Sequence, residues 1–275
     1  MTGQVRVVGP LGGPGPGPLT GVLAVIRRDW SDHRLFRMPF VLDLVFGTIN
    51  LAVFLLVTRA LVAGPQAVVH FHYVAIGLAF LLGLQGAVHQ TVQRTVTEQR
   101  VGTLEFQVAS GVRPWAILGG PAVVPAGVGQ LRMLLYLLIA VLLMGLRFGR
   151  ADWLGVVVMV ALVGALCAGI AAALAALAVA VPGGATAGRV AVAALGLVSG
   201  VFVPLAQLPP PLAAVGSLLP TNVALDGLRL VFGGAVWGST ALLLAVWVVA
   251  VGLLAVGASS AGLRIARWRG VLVPS

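Results

Sequence analysis

The 275-residue sequence contains no lysine, one cysteine and few acidic side chains, and only 9% of its residues are charged. Without lysine it cannot form a Walker A phosphate loop, whose lysine contacts the nucleotide phosphates. The single Cys167 excludes an intramolecular disulfide and a cysteine-based metal cluster. Hydrophobic residues make up 60% of the chain, more than a soluble domain of this size can bury. These figures predict an integral membrane protein with no soluble catalytic domain.

The hydrophobic runs predict an all-α integral membrane protein with six transmembrane helices. We expect the spans at residues 39–62, 73–93, 118–146, 153–181, 187–206 and 238–262. Small residues recur every four positions in the fourth span, and this ridge is typical of close helix packing. His70 and His72 are only two residues apart, and we find no metal-ligand spacing in the sequence.

The two ends of the chain differ from the spans. Residues 1–18 are rich in glycine and proline, which predicts a flexible tail. Residues 19–37 carry apolar side chains at helical spacing opposite charged ones. This pattern predicts an amphipathic helix in the membrane interface, with a short soluble helix as the alternative. Residues 38–264 then form the membrane domain, and residues 265–275 form a second tail.

Every basic residue is arginine, and the distribution of these arginines predicts the orientation of the chain. If the N-terminus is cytoplasmic, arginines are about three times as frequent in the inner segments as in the outer ones. Both termini are therefore expected in the cytoplasm. The net charge of +10 is scattered between apolar blocks, so we interpret it as an orienting charge and not as a nucleic-acid surface.

Two segments outside the predicted spans carry the most information. Residues 94–114 are polar, and Val101, Leu104 and Val108 share one predicted helical face there. This segment is either a short helix that docks on a soluble partner or a solvated connector. Residues 207–234 are apolar but interrupted by prolines, which favours short re-entrant helices over an ordinary outer loop.

These two segments resemble ABC-2 type transporter permeases, the membrane subunits of bacterial ABC exporters. The similarity lies in TEQRVGTLE followed by Pro114, and in SGVFVPLAQLPPPL followed by LLPTNVALDGLR. The basic ARWRG near the C-terminus is also similar to the family's ending. Arg100 departs from the pattern, because many relatives carry glutamate at that position.

The resemblance implies a transport subunit, not an enzyme, that exports an amphipathic or hydrophobic compound such as a drug, lipid or glycolipid. ATP and magnesium would bind two separate ATPase subunits, and no cofactor is expected in this chain. A second permease, identical or paralogous, would complete the transporter in the bacterial plasma membrane among membrane lipids. The residues expected to couple the permease to the ATPase are Glu98, Arg100, Gly102, Thr103, Leu104 and Glu105.

Polar residues within the predicted spans are candidates for the substrate path. Gln85, His89 and Gln93 lie on one face of the second span, where they either line a cavity or bond neighbouring helices. Arg132 falls in the third span and has no obvious acidic partner, so it either meets an anionic cargo or reaches the interface. Asp43 is expected to serve the start of the first span.

Other functions remain open at this stage. A polysaccharide-exporting ABC permease is the nearest alternative. A proton-coupled transporter usually needs acidic residues within the membrane, and Asp43 is the one candidate in the predicted spans. A membrane enzyme lacks a visible nucleophile and base. A membrane subunit that transports nothing is a further alternative, and a neighbouring gene for a Walker-type ATPase would favour the ABC transporter.

Overall fold

A computed structural model describes residues 37–61, 65–146, 148 and 151–268. The predicted tail at 1–18 and nearly all of the predicted interfacial helix at 19–37 lie outside these residues. Within the described ranges the chain is helical and contains no strand. The α-helices are α1 (Arg37–Leu61), α2 (Pro65–Val101), α3 (Thr103–Ala109), α4 (Pro114–Met144), α5 (Trp153–Ala180), α6 (Gly184–Val198), α7 (Pro210–Ser217), α8 (Pro220–Gly233) and α9 (Gly238–Trp268).

Five of the described helices, α1, α2, α4, α5 and α9, are long and apolar enough to cross a membrane. They correspond to five of the predicted spans and confirm the all-α membrane fold. Two helices are longer than predicted. The second extends through part of the polar segment to Val101, and the last continues to Trp268. The predicted C-terminal tail therefore begins as helix, and residues 269–275 lie outside the described part of the chain.

The fifth predicted span, at 187–206, is shorter in the structure. Helix α6 has 15 residues and ends at Val198. At 1.5 Å per residue it is about 22 Å long, less than the roughly 30 Å of a hydrocarbon core. The chain turns at Gly200, whose φ of +76° suits glycine, and Pro204 follows. The apolar composition of residues 199–206 concealed this break.

The predicted re-entrant segment folds into two short helices, α7 and α8, each with a proline in its first turn. A proline there costs no helical hydrogen bond. Helix α7 returns to the end of α6, where a Cβ on Gly216 would meet the Val198 carbonyl oxygen. The Ser199 and Thr221 hydroxyls also bond to each other, which fixes α8 beside the same turn.

Close helix crossings hold the bundle together. At the crossing of α2 and α4, a Cβ on Gly129 would lie 2.6 Å from the Gly83 carbonyl oxygen, so only glycine fits. The predicted small-residue ridge of α5 packs partly on α9 in the same protomer. There a Cβ on Gly262 would lie 2.8 Å from the Ala176 carbonyl oxygen. Such contacts increase the dispersion energy that drives helix association in lipid.

Candidate functional site

The predicted coupling segment forms a bend and a short helix at one end of the bundle. Helix α2 ends at Val101, and Gly102 has a φ of +79°, a conformation that glycine adopts without strain. The Gly102 amide donates to the Gln99 carbonyl, and α3 begins at the next residue. Thr103 donates its hydroxyl to the Glu98 carbonyl, which ties the start of α3 to the end of α2.

The inner face of α3 rests on the ends of three long helices. Leu104 is 0% exposed and belongs to a cluster with residues of α4, α5 and α9, namely Ile117, Leu118, Ala176, Val179, Leu263 and Ala266. Val108 packs against this cluster as predicted. The prediction that Val101 shares this face is wrong, because Val101 belongs to α2 and is 70% exposed. A displacement of α3 would therefore disturb a cluster that it shares with three long helices.

The outer face of α3 presents an exposed aromatic side chain. Phe106 is 76% exposed and lies two residues after Leu104, which places the two side chains on opposite faces of the helix. Arg100 is exposed nearby in sequence. Glu98 forms an ion pair with Arg94, with Nε and Oε1 3.3 Å apart. Glu105 occupies the first turn of α3, where a carboxylate complements the helix dipole.

Phe106 was not among the residues predicted from the sequence. We define the coupling surface as α3 with its exposed Phe106, the flanking Glu98 and Arg100, and Glu105. The signal that could have revealed Phe106 is the spacing of two hydrophobic residues in GTLEF. One of them must face away from the protein if the other is buried. An exposed phenylalanine beside charged side chains is typical of a protein-binding surface.

Three predicted substrate-path residues lie along α2 at intervals of four. Gln85 is half-buried, whereas His89 and Gln93 are exposed in the protomer. The Thr97 hydroxyl donates to the Gln93 backbone carbonyl, so the Gln93 side chain takes no part in this bond. The three side chains are thus spaced along one helix, whose most apolar stretch is largely buried. Their role in the substrate path stays a prediction.

Arg132 lies in the middle of α4, and its side chain is only 6% exposed. The expectation that it lacks an acidic partner is wrong. Its Nη1 lies 3.0 Å from Oδ2 of Asp43, a residue of α1 that is 55% exposed. The expectation that Asp43 serves the start of the first span is wrong, because the helix begins at Arg37 and its first turn contains no acidic residue. Sequence spacing alone did not indicate this pair, because it depends on how α1 packs against α4 in the folded chain.

Three more side chains surround this ion pair. The Arg132 guanidinium carbon lies 5.0 Å from the centroid of the Phe40 ring. With its amide oxygen oriented toward Arg132, Gln90 of α2 accepts from Nη1 and Nη2 at 3.2 and 3.0 Å. Tyr136 donates its hydroxyl to the Asp43 carbonyl at 2.9 Å. The charge of Arg132 is thus compensated within the protomer by residues of α1 and α2, a requirement for a cation among membrane helices.

The opposite end of the bundle has its own polar contact. Asp152 caps α5 by accepting from the amides of Leu154 and Gly155, and it also accepts from the indole N–H of Trp237 at 2.6 Å. The Trp237 bond is the main reason that the pKa of Asp152 lies below its usual value. No group of three histidine, cysteine or acidic side chains suited to a metal occurs in the described part of the chain.

Comparison with known proteins assigns the chain to a family. The family model of the ABC-2 type transporter matches residues 21–232, which is most of the chain. No curated protein gives a significant match over the sequence. The matched region covers α1 to α8 and includes the coupling surface and the short helices before α9. The chain therefore belongs to the ABC-2 type transporter family and is a multi-pass ABC transporter permease.

Proposed function

We propose that this chain is the permease of a bacterial exporter that moves an amphipathic or hydrophobic compound out across the plasma membrane. ATP and magnesium bind separate ATPase subunits in this proposal, and the chain itself hydrolyses no ATP. The observation that carries the proposal is the position of α3. Its buried Leu104 belongs to a hydrophobic cluster with residues of three long helices, while its exposed Phe106 is open to a partner.

The ATPase is proposed to dock on the coupling surface. Phe106 supplies an apolar anchor, and the charged side chains beside it provide a polar rim, a common division in protein interfaces. Gly102 fixes the angle between α2 and α3, because its positive φ is strained for any residue with a side chain. Motion of the ATPase would then reach α4, α5 and α9 through the Leu104 cluster.

A co-purification experiment tests this docking. The permease is expressed with its candidate ATPase, encoded by a neighbouring gene, and the complex is isolated through a tag on the permease. We expect Phe106→Ala to reduce the recovered ATPase at least about fivefold, since an aromatic hot spot contributes at least about 1–2 kcal/mol. Trp153→Ala is the matched control, because it removes an aromatic side chain that is 71% exposed at the other end of the bundle. Equal recovery with both variants would contradict docking through α3.

A second permease is proposed to cover the outward face of α1. Only 11% of the residues in the most apolar stretch of this helix are buried. Asn50, near the middle of the helix, is exposed between apolar neighbours. The Asn50 side-chain N–H donates to the Phe46 carbonyl, a bond that does not use the side-chain oxygen of Asn50. A polar group facing hydrocarbon is unfavourable, whereas a partner helix can bond it. The exposed side of α9 is instead apolar around its middle, as expected for contact with lipid.

Cysteine crosslinking tests this second contact. Replacing Cys167 by alanine removes the only thiol of the chain. In that background, Asn50→Cys should form an intermolecular disulfide in membranes. Val246→Cys, on the exposed face of α9, should not. The reverse pattern would place the second permease on α9.

A further inference from the structure

A cavity of about 290 Å³ lies between α2 and α8, distant in sequence from the coupling surface. Apolar and aromatic side chains form most of its wall, among them Ile76, Phe148 and Phe232. Arg229 and His72 are the polar residues that line it together with Tyr73. We call this space the α2–α8 cavity. In the proposed orientation it lies toward the outer side of the membrane.

Arg229 is held in a fixed position at this cavity. Its guanidinium carbon lies 3.4 Å from the centroid of the Tyr73 ring, and its Nη2 donates to the Gly200 carbonyl at 2.8 Å. The Tyr73 hydroxyl donates to the same carbonyl at 2.9 Å. These contacts join α2, α8 and the turn after α6. The side chain is 13% exposed, so the cation is largely removed from solvent.

The hydrogen-bonding capacity of Arg229 is only partly used. Among the described residues, Nε is buried and has no partner. Nη1 forms an ion pair with Oδ1 of Asp226, but at 3.6 Å the two atoms are beyond hydrogen-bonding distance, and this carboxylate is 53% exposed. A guanidinium with open donor positions beside an apolar cavity favours an anionic oxygen that can approach Nη1.

We propose that the α2–α8 cavity binds the anionic end of an amphipathic molecule. A phosphate or carboxylate group contacts Nη1 of Arg229, and the adjoining apolar part lies against Phe148 and Phe232. Cavities for small molecules usually measure about 300–1,000 Å³, so this one holds a head group and the first part of a chain. Identification of the ligand as exported cargo rests on the proposed function, whereas a membrane phospholipid offers the same chemistry.

Direct binding tests the site without an ATPase or transport, so its failure is separate from failure of the export proposal. Dodecyl phosphate is titrated calorimetrically into the full chain in phosphatidylcholine nanodiscs, with dodecyl maltoside as the uncharged comparison. We expect saturable binding of dodecyl phosphate and no saturable binding of dodecyl maltoside. Arg229→Gln should weaken it at least about tenfold, because a charge-assisted hydrogen bond is lost. Asp226→Asn should strengthen it, because a competing carboxylate is removed. Arg59→Gln removes an exposed arginine outside the cavity and should change nothing.

A second pair of variants keeps the test valid if Arg229→Gln does not fold. Gly233 lines the cavity and has open space around its Cβ position, so Gly233→Leu should block binding while Arg229 stays in place. Gly238→Leu is the matched control, since an added Cβ at Gly238 also has no atom within 4 Å and Gly238 does not line the cavity. Equal affinity of wild type, Arg229→Gln and Gly233→Leu would overturn the proposal, as would the absence of saturable binding.

The composition of the nanodisc distinguishes the two sources of the ligand. If a membrane phospholipid occupies the site, adding phosphatidylglycerol to the nanodisc should lower the apparent affinity for dodecyl phosphate in the wild type. If the site receives a free amphiphile, the affinity should stay the same. A site on Arg229 is supported in both cases, provided that Gly233→Leu abolishes the signal.

Discussion

Arg132 and Asp43 join the middle of α4 to the N-terminal half of α1, with 3.0 Å between Nη1 and Oδ2. The two partners differ in burial, since the arginine side chain is 6% exposed and the aspartate 55%. The pair also links α1, which is otherwise sparsely packed, to the rest of the bundle. The unequal burial predicts unequal effects when either charge is removed.

Asp43→Asn should lower stability more than Arg132→Gln does. The first change leaves a buried cation without its counter-ion, which costs about 3 kcal/mol or more, whereas the second leaves a carboxylate that water can reach. Thermal unfolding in detergent measures both effects. The double variant should be more stable than Asp43→Asn alone. Equal and additive losses would mean that the pair contributes no coupling energy.

Gly129→Ala should destabilise the crossing of α2 and α4. The new Cβ would lie 2.6 Å from the Gly83 carbonyl oxygen, and helices forced apart in a packed core cost about 1–3 kcal/mol. Gly127→Ala in the same helix is the matched control, because its Cβ meets nothing within 4 Å. We expect a lower melting temperature for the first variant only. Unchanged melting of both would show that the two helices can move apart at this crossing without cost.

Impermeant thiol labelling of intact cells tests the orientation. In the Cys167→Ala background, cysteines at Phe106 and Trp268 should be protected, because both positions are proposed to be cytoplasmic. Val236 is 89% exposed between α8 and α9, so a cysteine at this position should react with the reagent from outside. Labelling at position 106 in intact cells, with protection at 236, would reverse the proposed orientation.

Trp237→Phe should make stability less dependent on pH. The indole lowers the pKa of Asp152, so the ionised carboxylate contributes stability above its ordinary pKa of about 4. That contribution is lost as the pH falls through the lowered pKa and the carboxylate is protonated. The melting temperatures of wild type and variant should therefore differ near neutral pH and converge in acid. A constant difference at every pH would exclude a role for the carboxylate charge.

The sequence predicts the long helices well, because each needs only an apolar run of sufficient length. It misplaces the end of α6, since residues 199–206 are as apolar as a span. Local spacing placed Leu104 and Val108 correctly on one face, but it could not show that Val101 belongs to the preceding helix. That outcome depends on Gly102, whose positive φ separates the two helices.

Contacts between residues that are far apart in the sequence could not be predicted from the sequence. Asp43 and Arg132 are brought together by the packing of α1 against α4, and the periodicity of the sequence does not indicate how these helices pack. The same holds for Arg229 and Tyr73, which meet only because the chain turns back after α6. The charged residues themselves were recognised as costly within a membrane, so their need for partners was predictable even where the partners were not.

ATP-driven transport by the reconstituted complex tests the proposed export most directly. Inside-out vesicles containing the permease and its candidate ATPase are supplied with a fluorescent anionic amphiphile and ATP. We expect accumulation inside the vesicles that requires ATP hydrolysis and both subunits. It should fall with Phe106→Ala and persist with Trp153→Ala. Vesicles with the permease alone should neither hydrolyse ATP nor accumulate the probe. Undiminished ATP-dependent accumulation with Phe106→Ala, or ATP hydrolysis by the permease alone, would contradict transport energised through α3.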